Sequence, residues 1–174
     1  MFLPDLSTNK GLMHKSILEV FYSTGLRISE LVEIKSCNLD LDKNIIKVLG
    51  KGNKERIVII GEIASESLKN YLRVSKNSDN IYLYPSSNKM NSHMSVSYIY
   101  KMVKQYLIKV TNDEKMSPHS LRHSFATHLL DNGADLMSVK ELLGHEDLSS
   151  TQVYTHISVD KMKKIYKQSH PHGK

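Results

Sequence analysis

The sequence has a single cysteine and no long apolar run, and both absences limit the kind of protein it can encode. Cys37 alone cannot form an internal disulfide framework, which fits a reducing cytosol. No apolar segment approaches the length of a membrane-spanning helix, and the first residues lack the basic and then apolar layout of a signal peptide. We therefore expect a cytoplasmic protein without a membrane partner.

Repeats, low-complexity tracts and linkers are also missing, so the 174 residues are expected to form one domain with its own core. The net charge of +6 favours an acidic partner, of which nucleic acid is the commonest. Basic residues cluster in one predicted hairpin and in a tail without acidic residues: Lys47, Lys51, Lys54 and Arg56, then Lys161, Lys163, Lys164, Lys167 and Lys174. Such clusters are often only solvated faces. In the hairpin, Lys47, Lys54 and Arg56 are the predicted nucleic-acid contacts.

Hydrophobic periodicity predicts mostly helices with one small sheet. A first helix ends at Gly25 and a second begins just after Arg27, so Arg27 is expected at a helix junction. Strands are predicted at residues 39–41, 45–49 and 56–60, and Lys51 lies on the loop between the last two. Further helices are predicted at residues 62–74, 96–110, 118–132, 136–143, 149–155 and 158–168, with Gly133 and Gly144 as helix stops.

The segment from Ser117 to Leu130 gathers phosphate-binding groups at the start of one predicted helix. Ser117 can cap this helix, and Pro118 suits its first position. His119 and Arg122 are three residues apart, so they share one face of the first turn beside the positive end of the helix dipole. This arrangement predicts an anion site.

Four more positions complete an ordered set of chemically reactive or charged residues. His145 lies 26 residues after His119, Tyr154 nine after His145, and Lys51 24 after Arg27. The set reads Arg27, Lys51, His119, Arg122, His145 and Tyr154, within Gly-Leu-Arg-Ile-Ser-Glu-Leu, Gly-Lys-Gly-Asn-Lys-Glu-Arg, Leu-Arg-His-Ser-Phe-Ala-Thr-His-Leu-Leu, Leu-Leu-Gly-His and Val-Tyr-Thr-His. In order, interval and flanking residues it resembles the catalytic set of the tyrosine recombinases. It is most similar to the bacterial Xer recombinases, which resolve chromosome dimers.

This resemblance implies an α+β, mainly α fold: a helical bundle with a small antiparallel sheet of about three strands. It also implies attack on a DNA phosphodiester without metal, ATP or another cofactor. Tyr154 would be the nucleophile and would hold a 3′-phosphotyrosyl DNA end until a 5′-hydroxyl displaces it. Arg27 and Arg122 would each bind non-bridging oxygens and stabilise the charge of the transition state.

The remaining members of the set would handle protons and the phosphate. By the resemblance, His119 would share a proton with the nucleophile or the phosphate, and His145 would hydrogen-bond the phosphate. Lys51 would protonate the departing 5′-oxygen. His123 and His128 are expected to have structural roles.

The resemblance also implies double-stranded DNA as partner, a recombinase tetramer that is homomeric or contains a paralogue, and activation by a septal DNA translocase. Xer-like recombinases carry an additional N-terminal helical domain that clamps the DNA. Residues 1–174 are therefore expected to be the catalytic domain, with that core-binding domain absent. The last helix and tail, residues 158–174, are expected to dock on a neighbouring protomer.

Three alternatives stay open at this point. An integrase of a phage or mobile element would use the same chemistry, and a truncated remnant would bind DNA without cutting it. A zinc hydrolase is the third, because His119 and His123 are four residues apart on a helix and His145 could be a third ligand. No glutamate base lies between the first two histidines, and Arg122 would place a cation beside the metal, so we predict no metal site.

Overall fold

A computed structural model describes residues 4–50, 55–75, 80–87, 89, 91–144 and 159–173. Within them lie seven α-helices: α1 (Asn9–Thr24), α2 (Ile28–Val32), α3 (Glu62–Val74), α4 (Val96–Thr111), α5 (Pro118–Asp131), α6 (Leu136–Leu143) and α7 (Val159–Ser169). The strands are β1 (Leu39–Asp40), β2 (Ile45–Leu49) and β3 (Glu55–Ile59), and short 3-10 turns cover Ser36–Asn38 and Pro171–Gly173.

The predicted fold class, α+β and mainly α, is confirmed. The predicted bounds of α3 to α7 match to within one residue, whereas the predicted helix at 149–155 lies outside the described residues. None of the helices in the described part of the chain is both long and apolar enough to cross a membrane.

The end of α1 and the start of α2 are set by local chemistry. Thr8 caps α1 by accepting a hydrogen bond from the Gly11 N–H at 3.0 Å. Gly25 ends the helix at φ 58°, in the left-handed region that a glycine adopts without steric cost. The chain then turns sharply, and Arg27 directly precedes α2.

The three strands form an antiparallel sheet in the order β1-β2-β3, and both faces of β2 and β3 are covered. Because side chains alternate along a strand, Ile46, Val48 and Val58 face a core built from α1 to α4. Ile45 and Ile59, which pair across the two strands, face a second core built from α5, α6 and α7. The sheet therefore joins the two apolar clusters formed by the described residues.

The C-terminal helix α7 packs against α1 close to the start of α3. Tyr166 is 3% exposed, and its hydroxyl hydrogen-bonds the Ser23 Oγ at 2.6 Å. The same Ser23 oxygen accepts the Gly61 N–H at 2.8 Å, where α3 begins without a side-chain cap of its own. One serine hydroxyl on α1 thus connects α3 and α7.

His170 fills the space between α7 and α1. Its ring is 2% exposed, stacks on Tyr166 at 4.5 Å and lies 5.3 Å from the Phe125 ring. Burial, followed by the neighbouring His172, lowers the pKa of His170 to about 4. Tyr22, which packs 5.1 Å from the His170 ring, hydrogen-bonds the Nδ1 of His128 at 2.9 Å.

The first prediction is a pH dependence of folding that His170 carries. Its folded pKa of about 4 lies below the ordinary 6.5, so the unfolded chain binds the extra proton between these values and stability falls as pH drops through this window. We expect His170→Phe, which keeps an aromatic ring, to remove on the order of 1–3 kcal/mol of this pH-dependent loss. Urea unfolding of both proteins from pH 7.5 to 4 measures it, and a pH-independent difference would contradict a buried neutral imidazole.

The second prediction concerns Gly25. A Cβ there would lie 2.6 Å from the Phe125 ring and 2.9 Å from Leu143 Cδ2, in addition to the positive φ. We expect Gly25→Ala to lower the free energy of unfolding by about 2–4 kcal/mol.

Gly133 provides the matched control, because it has φ 87° and no atom within 4 Å of an added Cβ. Gly133→Ala tests the backbone strain alone, so it should lower the free energy of unfolding by only about 1 kcal/mol. Chemical denaturation of both variants compares them. Equal losses would mean that the close packing against Gly25 contributes nothing.

Candidate active site

The predicted position of Arg27 at a helix junction is confirmed. Its backbone is extended (φ −73°, ψ 151°) immediately before α2, and its side chain is 43% exposed. Its N–H donates to the Glu30 Oε2 at 2.7 Å, one turn further along. The short α2 therefore fixes the backbone of Arg27 while much of the side chain remains at the surface.

Glu30 is a buried carboxylate that collects four hydrogen bonds. Its side chain is 7% exposed, and Arg56 binds it with both terminal nitrogens, Nη1 to Oε1 at 2.8 Å and Nη2 to Oε2 at 3.0 Å. Arg27 adds its backbone N–H and a longer contact of 3.3 Å from Nη1 to Oε1. A carboxylate offers about four acceptor sites, so the capacity of Glu30 is filled.

The environment of Glu30 keeps it ionised. Burial on its own would raise the pKa of this carboxyl, but hydrogen bonds and charge from Arg56 and Arg27 bring the pKa below its usual value. A two-point contact between a guanidinium and a carboxylate is the strongest common geometry for such a pair.

Arg56 contacts both α2 and the end of α6. It lies on β3 with 18% of its side chain exposed, and its guanidinium packs against Gly144 as well as Glu30. A Cβ at Gly144 would lie 2.7 Å from the Arg56 Nε and Cζ, so only glycine allows this approach while Arg56 is held by Glu30. Gly144, at φ 66°, is also the residue that ends α6, as predicted.

Arg122 joins the ends of two helices. From the first turns of α5, its Nη1 donates to the carbonyl of Gly25 and its Nη2 to the carbonyl of Leu143 at 2.9 Å. Both carbonyls lie at helix C-termini, where the helix dipole places partial negative charge. Burial, then the charge of Arg27, lowers the pKa of Arg122 to about 10, and Glu30 acts in the opposite direction.

Three of the four arginines in the sequence therefore lie in one region: Arg27 and Arg56 bind Glu30, and Arg122 binds the carbonyl of Gly25, two residues before Arg27. Concentrated positive charge at a helix junction and beside a helix N-terminus suits a bound anion. His119 is exposed on the first turn of α5, the same face that carries Arg122.

The other predicted site residues are placed as follows. Lys47 is exposed on β2, opposite Ile57 of β3. Lys51, Lys54, His145 and Tyr154 lie outside the described residues, so their roles stay predictions. The assignment of Lys47 and Arg56 as DNA contacts also stays a prediction, with the addition that Arg56 is engaged by Glu30.

Glu30 is the site residue that sequence reasoning missed. The signal was available, since a glutamate three residues after Arg27 at a helix start is typical of a capping arrangement. The pairing with Arg56, 26 residues away, depends on the fold and could not be read from local spacing.

Within the part of the chain that the structure describes, no group of three histidine, cysteine, aspartate or glutamate side chains is arranged to hold a metal ion. His119 and His123 do share α5, but the proposed third ligand, His145, is not among the described residues.

The sequence profile of the Phage integrase family matches residues 3–161, so the chain belongs to this family. It is 43% identical over 171 residues to tyrosine recombinase XerD of Staphylococcus saprophyticus, and 42% identical over 176 residues to tyrosine recombinase XerD of Staphylococcus aureus. The predicted resemblance is confirmed. Each alignment covers 97% of this chain but 58% of the relative, so the chain spans little more than half the length of these proteins.

Solved structures agree on the fold. The crystal structure of XerA recombinase superposes with a TM-score of 0.70 at 35% identity, covering 92% of this chain and 59% of the other. The integrase from mycobacterium phage Brujita gives 0.74 at 26% identity, covering 92% and 52%. The XerH site-specific recombinase bound to its difH substrate, in a pre-cleavage complex, gives 0.67 at 26% identity, covering 94% and 44%.

The third prediction tests the bridge that Arg122 makes. Arg122→Lys keeps the charge, but an ammonium is a compact point charge and cannot reproduce the forked contact with both carbonyls. We expect a loss of about 1.5–3 kcal/mol in the free energy of unfolding, measured by urea denaturation.

Arg73 on α3 is exposed and serves as the matched control. Arg73→Lys should change the free energy of unfolding by less than about 0.5 kcal/mol. If both substitutions are equally mild, the contacts of Arg122 with the helix ends do not stabilise the fold.

Proposed function

We propose that this chain is the catalytic domain of a Xer-type site-specific recombinase, which cuts and rejoins double-stranded DNA through a 3′-phosphotyrosyl intermediate. The observation that carries the proposal is that Glu30 holds Arg27 at the start of α2, while Arg122, on the first turns of α5 with His119, binds the carbonyl of Gly25, two residues before Arg27. Guanidiniums held in fixed positions stabilise a phosphoryl centre whose negative charge grows in the transition state. The similarity to XerD proteins supports the same reaction.

The chemistry requires help for a weak nucleophile. A tyrosine hydroxyl has a reference pKa of about 10, so Tyr154 needs a base or a strong positive field to attack at neutral pH. In the proposed mechanism Arg27 and Arg122 bind the non-bridging oxygens, and His119 takes part in proton transfer near the nucleophile.

Two further residues complete the proposed cycle. His145 hydrogen-bonds the phosphate, and Lys51 protonates the 5′-oxygen as it leaves. A second DNA strand then displaces Tyr154 through its own 5′-hydroxyl. The reaction conserves the energy of the phosphodiester in the protein–DNA bond, so it needs neither ATP nor a divalent ion.

Chromosome dimer resolution is the proposed role, by a tetramer on DNA that is homomeric or contains a paralogue. The XerD relatives support this role, and a septal DNA translocase as activating partner belongs to the same proposal. α7 and the tail pack on their own chain through Tyr166 and His170, and their docking on a neighbouring protomer in the tetramer is likewise proposed.

Integration of a phage or mobile element is the second candidate. The structural similarity to the Brujita phage integrase favours it, because its TM-score of 0.74 is higher than the 0.70 for XerA. Sequence identity favours a Xer recombinase, because it is 43% to XerD of Staphylococcus saprophyticus and 26% to the phage integrase.

The fourth prediction tests the reaction with a nicked suicide duplex that carries the resolution site of the source organism. Cleavage next to the nick releases a short fragment, so the covalent protein–DNA adduct accumulates and is visible on a denaturing gel. We expect an adduct from the unaltered chain and none from Tyr154→Phe, because that substitution removes only the nucleophilic oxygen. Both proteins should bind the duplex equally in a mobility-shift assay.

The reaction is run in EDTA, so a zinc-dependent hydrolase would show no activity under the same conditions. An adduct of undiminished yield from Tyr154→Phe would place the nucleophile elsewhere. Normal DNA binding without any adduct, from the unaltered chain, would favour the non-catalytic remnant instead. A duplex with an integrase attachment site in place of the resolution site compares the two roles.

A further inference from the structure

Arg56 was expected to contact DNA, but its surroundings suit a different task. Its side chain is 18% exposed, both of its terminal nitrogens bind Glu30, and its Nε and Cζ lie against the backbone at Gly144. Because Nη1, Nη2 and Nε of Arg56 all face other parts of the protein, its guanidinium exposes little surface to which a DNA phosphate could bind. In contrast, the side chain of Arg27 is 43% exposed and touches the same carboxylate at one point, at 3.3 Å.

The four hydrogen bonds of Glu30 are unequal. Arg56 makes the two short side-chain contacts, at 2.8 and 3.0 Å, and the Arg27 backbone N–H makes the third at 2.7 Å. The Arg27 guanidinium is left with the longest one. Since a bidentate contact fixes both oxygens in the plane of the Arg56 guanidinium, no second guanidinium can form the same contact with Glu30.

Removing Arg56 would change this competition. Glu30 would remain buried with Arg27 as the one guanidinium in contact with it, and a buried carboxylate without its partner strongly attracts the nearest cation. Arg27 lies three residues before Glu30, immediately before α2, and its side chain could then turn inward onto both oxygens. An arginine paired in this way would be withdrawn from the surface.

We propose that Arg56 is a positioning residue: by occupying both oxygens of Glu30, it keeps the Arg27 guanidinium available for the substrate phosphate. The inference rests on the proposed function, in which Arg27 binds a non-bridging oxygen. The carboxylate orients the Arg27 backbone, and Arg56 prevents that same carboxylate from capturing the Arg27 side chain. Glu30 also partly offsets the mutual repulsion of the three arginines.

The test compares Arg56→Met, Glu30→Gln and the double variant, with Arg73→Met as the matched control on exposed α3. Met keeps the length and apolar stem of arginine without its charge. Gln retains an oxygen that can accept the Arg27 N–H but removes the charge that would capture the guanidinium. Circular dichroism and thermal melting establish that each variant is folded at the assay temperature.

The first readout needs no DNA. Phenylglyoxal modifies accessible arginines, and mass spectrometry of proteolytic peptides gives the rate at Arg27, with Arg73 as internal reference. In Arg56→Met we expect the rate at Arg27 to fall by roughly three- to tenfold, because Glu30 then holds the guanidinium. In the double variant the rate should return to that of the unaltered chain. An unchanged rate in Arg56→Met would overturn the proposal.

The second readout separates binding from cleavage on the nicked duplex. Arg56→Met should reduce the single-turnover cleavage rate by roughly 10- to 100-fold with little change in DNA affinity, and the double variant should recover most of that loss. Arg73→Met should behave as the unaltered chain. If Arg56→Met weakens binding, lowers the salt slope by about one and is not rescued by Glu30→Gln, Arg56 is a DNA contact and the proposal is wrong.

The two readouts fail independently. If the unaltered chain cuts no DNA, the proposed function is wrong, while the labelling of Arg27 still decides whether Arg56 holds Glu30 away from it. Should Arg56→Met not fold, Arg56→Lys replaces it: a lysine offers one point of contact, so Arg27 labelling should lie between that of the unaltered chain and full protection. Labelling equal to the unaltered chain in Arg56→Lys, together with full cleavage, would also overturn the proposal.

Discussion

The carboxylate of Glu30 is the interaction on which the arrangement of the site depends. It is buried, ionised and saturated with hydrogen bonds from Arg27 and Arg56. Without a negative charge at this point, three guanidiniums would have to share a partly desolvated region, and their repulsion would oppose folding. The buried ion pairs of Glu30 thus hold Arg27 and Arg56 close together at the candidate site.

Around Glu30, glycines occupy the positions at which a guanidinium or an aromatic ring packs directly against the backbone. Gly25 allows Phe125 and Leu143 to reach the end of α1, and Gly144 allows Arg56 to reach the end of α6. Arg122 then ties these two helix ends together through their carbonyls. The C-termini of α1 and α6 and the first turn of α2 are in this way held together around the proposed anion site.

Local chemistry was enough to predict much of this fold. Ser117 and Pro118 predicted the start of α5, Gly25 and Gly144 predicted helix ends, and the mostly apolar, β-branched run from Ile45 to Leu49 predicted β2. The partners of charged residues were less accessible, because a basic cluster on a hairpin looks the same whether its members face solvent or a buried carboxylate. Arg56 illustrates the difficulty: its partner lies 26 residues away, on a different element. His145 and Tyr154 are known only from sequence, through spacing and resemblance.

The serine hydroxyl that joins α1, α3 and α7 has a consequence for the order in which the chain can fold. Ser23 hydrogen-bonds Gly61 across 38 residues, but it hydrogen-bonds Tyr166 across 143 residues. During synthesis the first contact can form long before the second, because α7 leaves the ribosome well after α1 and α3. Closure of such a long loop makes the docking of α7 a late step, so the nascent protein passes through a stage in which the N-terminal core is assembled while its C-terminal cover is still missing.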